Sequence, residues 1–143
     1  MIKYPLFFEV SANSTTGIET QVQASAHDLP PISCAVPPEF GGPGGGYSPE
    51  DLYALAVVTC FISTFKVFAV RAKLAFSGIQ GEAKLTIDRN AAGVPELNKV
   101  DLTFTLTGVE DQEKAKTLLA ESEKYCLVSN AIRSEKSFTY KFS

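Results

Sequence analysis

The sequence predicts an α+β fold, on three observations. Apolar and polar residues alternate with period two in the first third, in the middle and at the C-terminal end, which is how half-buried strands read. One apolar segment, Leu52 to Phe65, lies between Asp51 and Lys66 and is preceded by helix-start signals. Strands and helices also come in segregated runs, with three strands, a long helix, two strands, a helix and a last strand. The chain has 143 residues, 45% of them apolar and 20% charged, the composition of one ordinary globular domain over residues 1–143. There is no internal repeat and no linker.

At the N-terminal end, Ile18, Val22, Ala24 and Ala26 alternate with Glu19, Gln21, Gln23 and Ser25 as a strand. Tyr4 to Val10 is aromatic and β-branched enough to be its partner, with Asn13 to Gly17 as the turn. Pro30-Pro31 breaks the chain, and Ile32 to Val36 predicts a third short strand closed by Pro37-Pro38. Gly41 to Gly46 is glycine-rich, but Tyr47-Ser48-Pro49 follows where a phosphate-binding loop needs lysine and a hydroxyl residue. The glycines there predict backbone passing close to another surface.

Ser48 predicts an N-cap, Pro49 the first helical position, and Ser48 with Asp51 a capping box. The helix is expected to run to about Phe76, before Ser77-Gly78. From Leu52 to Val58 it is apolar on every face, so it is expected to be enclosed by its own sheet and by a second cover, another subunit. The apolar stretch is too short to span a bilayer. Ala83, Leu85 and Ile87, then Val100, Leu102, Phe104 and Leu106, give two strands of an antiparallel hairpin turning at Asn90 to Gly93. Glu110 to Lys124 is amphipathic, Cys126 to Ile132 is a short segment, and Phe138, Tyr140 and Phe142 share one face of a last strand.

Thirteen basic against sixteen acidic residues give a net charge of −3, which excludes the broad basic footprint of a nucleic-acid binder. The N-terminus has no signal-peptide h-region, and no membrane partner is expected. Three cysteines cannot pair completely within a chain, so a reducing cytoplasm is the expected setting. The one histidine, His27 beside Asp28, reads as a turn residue, and the Cys and His spacings match no zinc module. No metal or other cofactor is expected. Cys34 lies on a short strand between prolines and reads as a buried hydrophobe. Cys60, mid-helix, and Cys126, at the end of the second helix, would read the same way without a further observation.

That observation is a pair of motifs. Ser48-Pro49-Glu50-Asp51-Leu52 stands ten residues ahead of Thr59-Cys60-Phe61, after a glycine loop, and Tyr125-Cys126-Leu127-Val128-Ser129-Asn130-Ala131 follows later. These resemble the S/N-P-E-x-L run and the C-P-V-S-N segment of the OsmC/Ohr family of osmotically inducible and organic-hydroperoxide-resistance proteins, and the element order matches over nearly the whole chain. The resemblance implies antiparallel sheets packed around a long central helix, an intertwined homodimer, and an organic hydroperoxide substrate with an external dithiol reductant. It makes Cys60 the peroxidatic cysteine, Cys126 the resolving cysteine and Glu50 the motif glutamate. Glu50 and Cys60 lie about 15 Å apart along one helix axis, so serving one site would take the helix of a second subunit.

The chain departs from the family in two places. The family's peroxidases use an early-strand arginine held by the motif glutamate, and here no arginine precedes Arg71; the others are Arg89 and Arg133. Leu127 stands where proline usually follows the second cysteine. Lys3, Arg71 and Arg133 are the cations that could replace the missing arginine. The alternative implied is an OsmC-like dimer that binds a small ligand with weak or no peroxidase activity.

Overall fold

Near the N-terminus, Val10–Asn13 (β1), Val22–Ala26 (β2) and Ile32–Cys34 (β3) form an antiparallel sheet in the order β1-β2-β3. A computed structural model describes all residues 1–143, and the chain divides into two units, Met1–Leu52 and Tyr53–Ser143. In the first unit the register runs from Val10↔Ala26 to Asn13↔Gln23, which moves β1 downstream of the expected Tyr4 to Val10 strand. The turn is the reason. It extends over residues 14–21, where Gly17 takes φ 101° and the Thr20 hydroxyl donates to the Gly17 carbonyl at 2.8 Å. Ile18 therefore sits in the turn, and Tyr4, Phe7 and Phe8 have no strand to pair with and stay exposed. His27 does occupy a turn, with φ 51°.

The glycine loop behaves as its composition implies. Tyr47 donates its N–H to the Ser33 carbonyl at 3.0 Å, and Ala35 donates to the Tyr47 carbonyl at 3.0 Å. A Cβ at Gly46 would stand 2.8 Å from the Ser33 carbonyl oxygen, so this return of the loop onto β3 requires glycine. Helix α1 (Pro49–Arg71) then begins with the expected capping box: Ser48 N–H donates to Asp51 Oδ2 at 2.9 Å and Asp51 N–H to Ser48 Oγ at 3.0 Å. It stops earlier than the expected Phe76. Lys73 takes φ 56° and Leu74 donates back to the Ala69 carbonyl at 2.9 Å, a left-handed C-terminal closure made without glycine.

In the second unit, β4 (Gly78–Arg89) and β5 (Pro95–Thr107) pair antiparallel, and the Asn90 side chain closes their turn by accepting from Ala92 and Val94. Asp111 caps α2 (Gln112–Tyr125), its carboxylate accepting the Lys114 N–H at 3.0 Å. After Cys126 comes a five-residue helix, α3 (Leu127–Ala131), and then β6 (Glu135–Phe142). The sheet order is β4-β5-β6, and β6 runs parallel to β5 from Lys99↔Glu135 to Leu106↔Phe142. The crossover through α2 and α3 allows that parallel pair, as adjacent parallel strands need a long connection.

The core of this unit sets Val57, Val58, Phe61, Phe65 and Ala69 of α1 against Val100, Leu102, Phe104 and Leu106 of β5. Phe61 stacks on Phe104 with ring centroids 4.1 Å apart. Gly81 of β4 lets the helix come this close, for a Cβ there would lie 2.8 Å from both Phe104 and Val58. Within the chain α1 is covered on one side only. Leu55, Val67 and Val70 remain exposed, Val70 at 79%. By length and composition alone α1 could also cross a membrane, but its buried stripe is the one around which this core is built.

Candidate functional site

Cys60 and Cys126 meet in the second unit. Cys60 is half-buried in the middle of α1, next to the core residue Phe61, and its carbonyl accepts the Thr64 hydroxyl at 2.8 Å. Cys126 is fully buried and is the single residue between α2 and α3. Its N–H donates to the Ser122 carbonyl at 3.0 Å, and its carbonyl accepts the Asn130 N–H at 3.0 Å. With ψ 103° it breaks one helix and starts the next, and that kink aims its side chain into the core. Cys126 belongs to the core cluster against which Cys60 packs, the two side chains are neighbours, and both thiols are free.

Burial pushes the Cys126 thiol up to about 11. The neighbouring Cys60 side chain raises it further, while the Ser129 and Val128 N–H groups, at the start of α3, pull the other way. At neutral pH the proton therefore stays on Cys126. Two thiols so placed can form a disulfide once one of them is oxidised.

The surroundings are held by polar ties at the edge of an apolar core. Tyr140 donates to Glu123 Oε1 at 2.5 Å, and burial, before the carboxylate, raises the phenol well above its ordinary value. Tyr53 and Ser134 hydroxyls lie 2.7 Å apart, and Ser134 donates to the Leu97 carbonyl at 2.6 Å. Beside them is a cleft of about 520 Å³ lined by Glu96, Asn98 and Arg133 among others. Lys136 Nζ donates to the Ser129 carbonyl at 2.7 Å and the Ile132 carbonyl at 3.4 Å.

Glu50 lies in the first unit, in the first turn of α1, and its buried Oε2 has no hydrogen-bond partner. None of Lys3, Arg71 and Arg133 forms an ion pair; the three present are Lys99–Asp101, Lys116–Glu113 and Lys124–Glu121. Arg71 instead lines a cleft of about 570 Å³ with Phe68, Leu118 and Tyr125. Cys34 is buried on β3, 6% exposed, as a small hydrophobe would be.

A family model described as OsmC-like protein matches residues 42–141, which take in the glycine loop, α1 with Cys60, and the Cys126 segment. The chain belongs to the OsmC-like family. Among relatives of this OsmC-like chain, the organic hydroperoxide resistance protein of Xanthomonas axonopodis pv. citri is 29% identical over 134 residues, 90% of this chain and 89% of the relative. An uncharacterized protein of Acinetobacter baylyi is 30% identical over 129 residues, covering 88% and 86%. The solved structure of an organic hydroperoxide resistance protein from Elizabethkingia anophelis superposes with a TM-score of 0.75 at 25% identity over 99% of both chains. The α+β fold read from the sequence is thus that of the OsmC/Ohr proteins.

The sequence pointed to Cys60 and Cys126, and the fold brings them together. It did not point to Lys136, Ser129 or the Tyr140–Glu123 pair. One signal was available for Lys136: it stands in the same period-2 row as Phe138, Tyr140 and Phe142, where a lysine needs an internal partner.

Proposed function

We propose that this chain, as one OsmC-like domain over residues 1–143, is a cysteine-based hydroperoxide reductase that takes electrons from an external dithiol. The placement of two free thiols, Cys60 and Cys126, as neighbours in one core carries this reading. Cys60, the more open of the two, attacks the terminal O–O bond; the alkoxide leaves as the alcohol and Cys60 becomes a sulfenic acid. Cys126 then closes a disulfide with loss of water, and a dithiol restores both thiols by exchange. Apolar neighbours such as Phe61 suit an organic hydroperoxide better than hydrogen peroxide, and the name of the Xanthomonas relative supports that substrate class. The exposed face of α1 supports a homodimer, in which Glu50 would serve the partner's Cys60.

The experiment is peroxide consumption with cumene hydroperoxide and a dithiol. Cys60→Ser abolishes turnover, Cys126→Ser stops it after one oxidation unless reductant attacks the sulfenate directly, and Cys34→Ser leaves it intact. Mass mapping finds a Cys60–Cys126 link. Two thiols that survive stoichiometric hydroperoxide would overturn the reading.

One observation favours a second reading, a dimeric protein that binds a small apolar or thiol ligand without efficient peroxide reduction. Glu50 Oε2 has no cation to hold, and no arginine precedes Arg71. On that reading turnover is undetectable even at alkaline pH. A reductase without its arginine instead turns over slowly near neutrality and speeds up as the pH rises.

A further inference from the structure

Lys136 opens β6 on a half-buried row that otherwise reads Phe138, Tyr140, Phe142. Its ammonium forms no ion pair there. It donates instead to the Ser129 carbonyl at 2.7 Å and the Ile132 carbonyl at 3.4 Å, at the C-terminal end of α3. At the other end α3 starts on Cys126, whose carbonyl accepts the Asn130 N–H at 3.0 Å, and the nearby Val128 and Ser129 N–H groups act to lower the Cys126 thiol. Ser129, 2% exposed, lies between the two ends, and its carbonyl meets the ammonium.

A five-residue helix is too short to hold itself by its own hydrogen bonds, and its last carbonyls need outside donors. Two side chains tie α3 in place. Asn130 Nδ2 donates to the Lys124 carbonyl at 2.7 Å, fastening α3 to the end of α2, and Lys136 fastens it to β6. We propose that Lys136 is a positioning residue for closure of the Cys60–Cys126 disulfide: by holding the carbonyl end of α3 it keeps Cys126, the residue on which α3 starts, in place beside Cys60.

The proposal rests on the dithiol reading above. In the closing step the Cys126 sulfur attacks the sulfur of the Cys60 sulfenic acid; the S–S bond forms and the S–O bond breaks. Hydroxide leaves and takes the Cys126 proton as water. Negative charge passes through the Cys126 sulfur in this step, and the attack is fast only while that sulfur is held beside Cys60. Cys60 on α1 is the titratable neighbour of that sulfur; Lys124 and Tyr125, which precede Cys126 on α2, and Arg133 beyond α3 are exposed, and the Lys136 ammonium is bound to carbonyls.

The test compares Lys136→Met, Lys136→Gln and Lys136→Arg under a stoichiometric pulse of cumene hydroperoxide, with a 1,3-dione trap for the sulfenate. Lys136→Met forms the Cys60 sulfenate at the parent rate but closes the disulfide about tenfold more slowly, so trapped Cys60 accumulates. Lys136→Arg restores closure to within about twofold, because its guanidinium still donates to carbonyls. Lys136→Gln falls between. Equal slowing of both steps, or closure at the parent rate in Lys136→Met, overturns the proposal. A second readout needs no peroxidase activity: thiolate absorbance of the Cys60→Ser protein should titrate about half a unit higher when Lys136→Met is added. No shift overturns the proposal, whereas a parent protein that forms neither sulfenate nor disulfide overturns the dithiol reading alone.

Discussion

Cys126 and Tyr140 hold their protons in the folded chain at pH values where an unfolded chain has released them. Cys126 moves from 9.0 to about 11, chiefly by burial, and Tyr140 moves up from 10.0 by burial and by its bond to Glu123. A raised folded value means the unfolded state binds fewer protons above about pH 9, so stability is complete below that pH and falls as the pH rises towards 11. Denaturation with excess reductant should show this decline between pH 8 and 11. Cys126→Ala should flatten its lower part and Tyr140→Phe its upper part, and an unchanged slope in both would contradict the burial argument. Motifs in the sequence singled out Cys60, Cys126 and Glu50, and the fold places the two cysteines in one core and Glu50 in the first turn of α1. Lys136 and Ser129 carried no such mark, because their roles come from backbone carbonyl and N–H groups that only the turn of α3 brings into line. The same holds for Glu123, whose partner on β6 lies seventeen residues away.

Among the elements, α1 shows most plainly which signals the sequence carries. Its start was readable because a capping box is local chemistry, and Ser48→Ala should cost about 1 kcal/mol in a denaturant titration. Its end was misjudged because Lys73 supplies the left-handed residue that glycine usually provides. The early hairpin was displaced for a similar reason: the turn through Gly17 is longer than the local composition indicates. Gly81 gives the sharper test of how α1 sits on the sheet. Gly81→Ala would press a methyl group into Phe104 and Val58, each 2.8 Å from the new Cβ. Overpacking of that kind costs about 1–3 kcal/mol, less the gain of about 0.5–1 kcal/mol from removing a strand glycine. A net loss is expected, and a stabilised variant would mean that the helix stands further off than described.

For the molecule as a whole, the exposed apolar residues on α1 bear on assembly. Leu55, Val67 and Val70 are 43%, 47% and 79% exposed on a helix whose other face is core, and a patch of that kind is expected to be covered. Sedimentation should give twice the mass of 15.4 kDa. Val70→Asp should lower the mass to one chain while costing the monomer under about 0.5 kcal/mol, as surface substitutions usually do. A parent protein that stays monomeric at micromolar concentration would remove the two-subunit site. The all-round apolar helix was legible in the sequence as a demand for a second cover; the parallel placement of β6 was not, since antiparallel and parallel partners share one alternation. That placement bears on biosynthesis. Lys99 pairs with Glu135, so β5 must wait until α2, α3 and then β6 have been made before its second edge is filled. Long-range parallel pairing of this kind is intrinsically slow to form. Until β6 docks, Lys136 is absent from α3, and the segment bearing Cys126 has one anchor fewer. A nascent chain would thus carry Cys60 and Cys126 as two independent thiols until residues 135–142 have emerged and docked. Stalled chains lacking residues 135–143 should react with alkylating agents at both cysteines, while the finished protein protects Cys126.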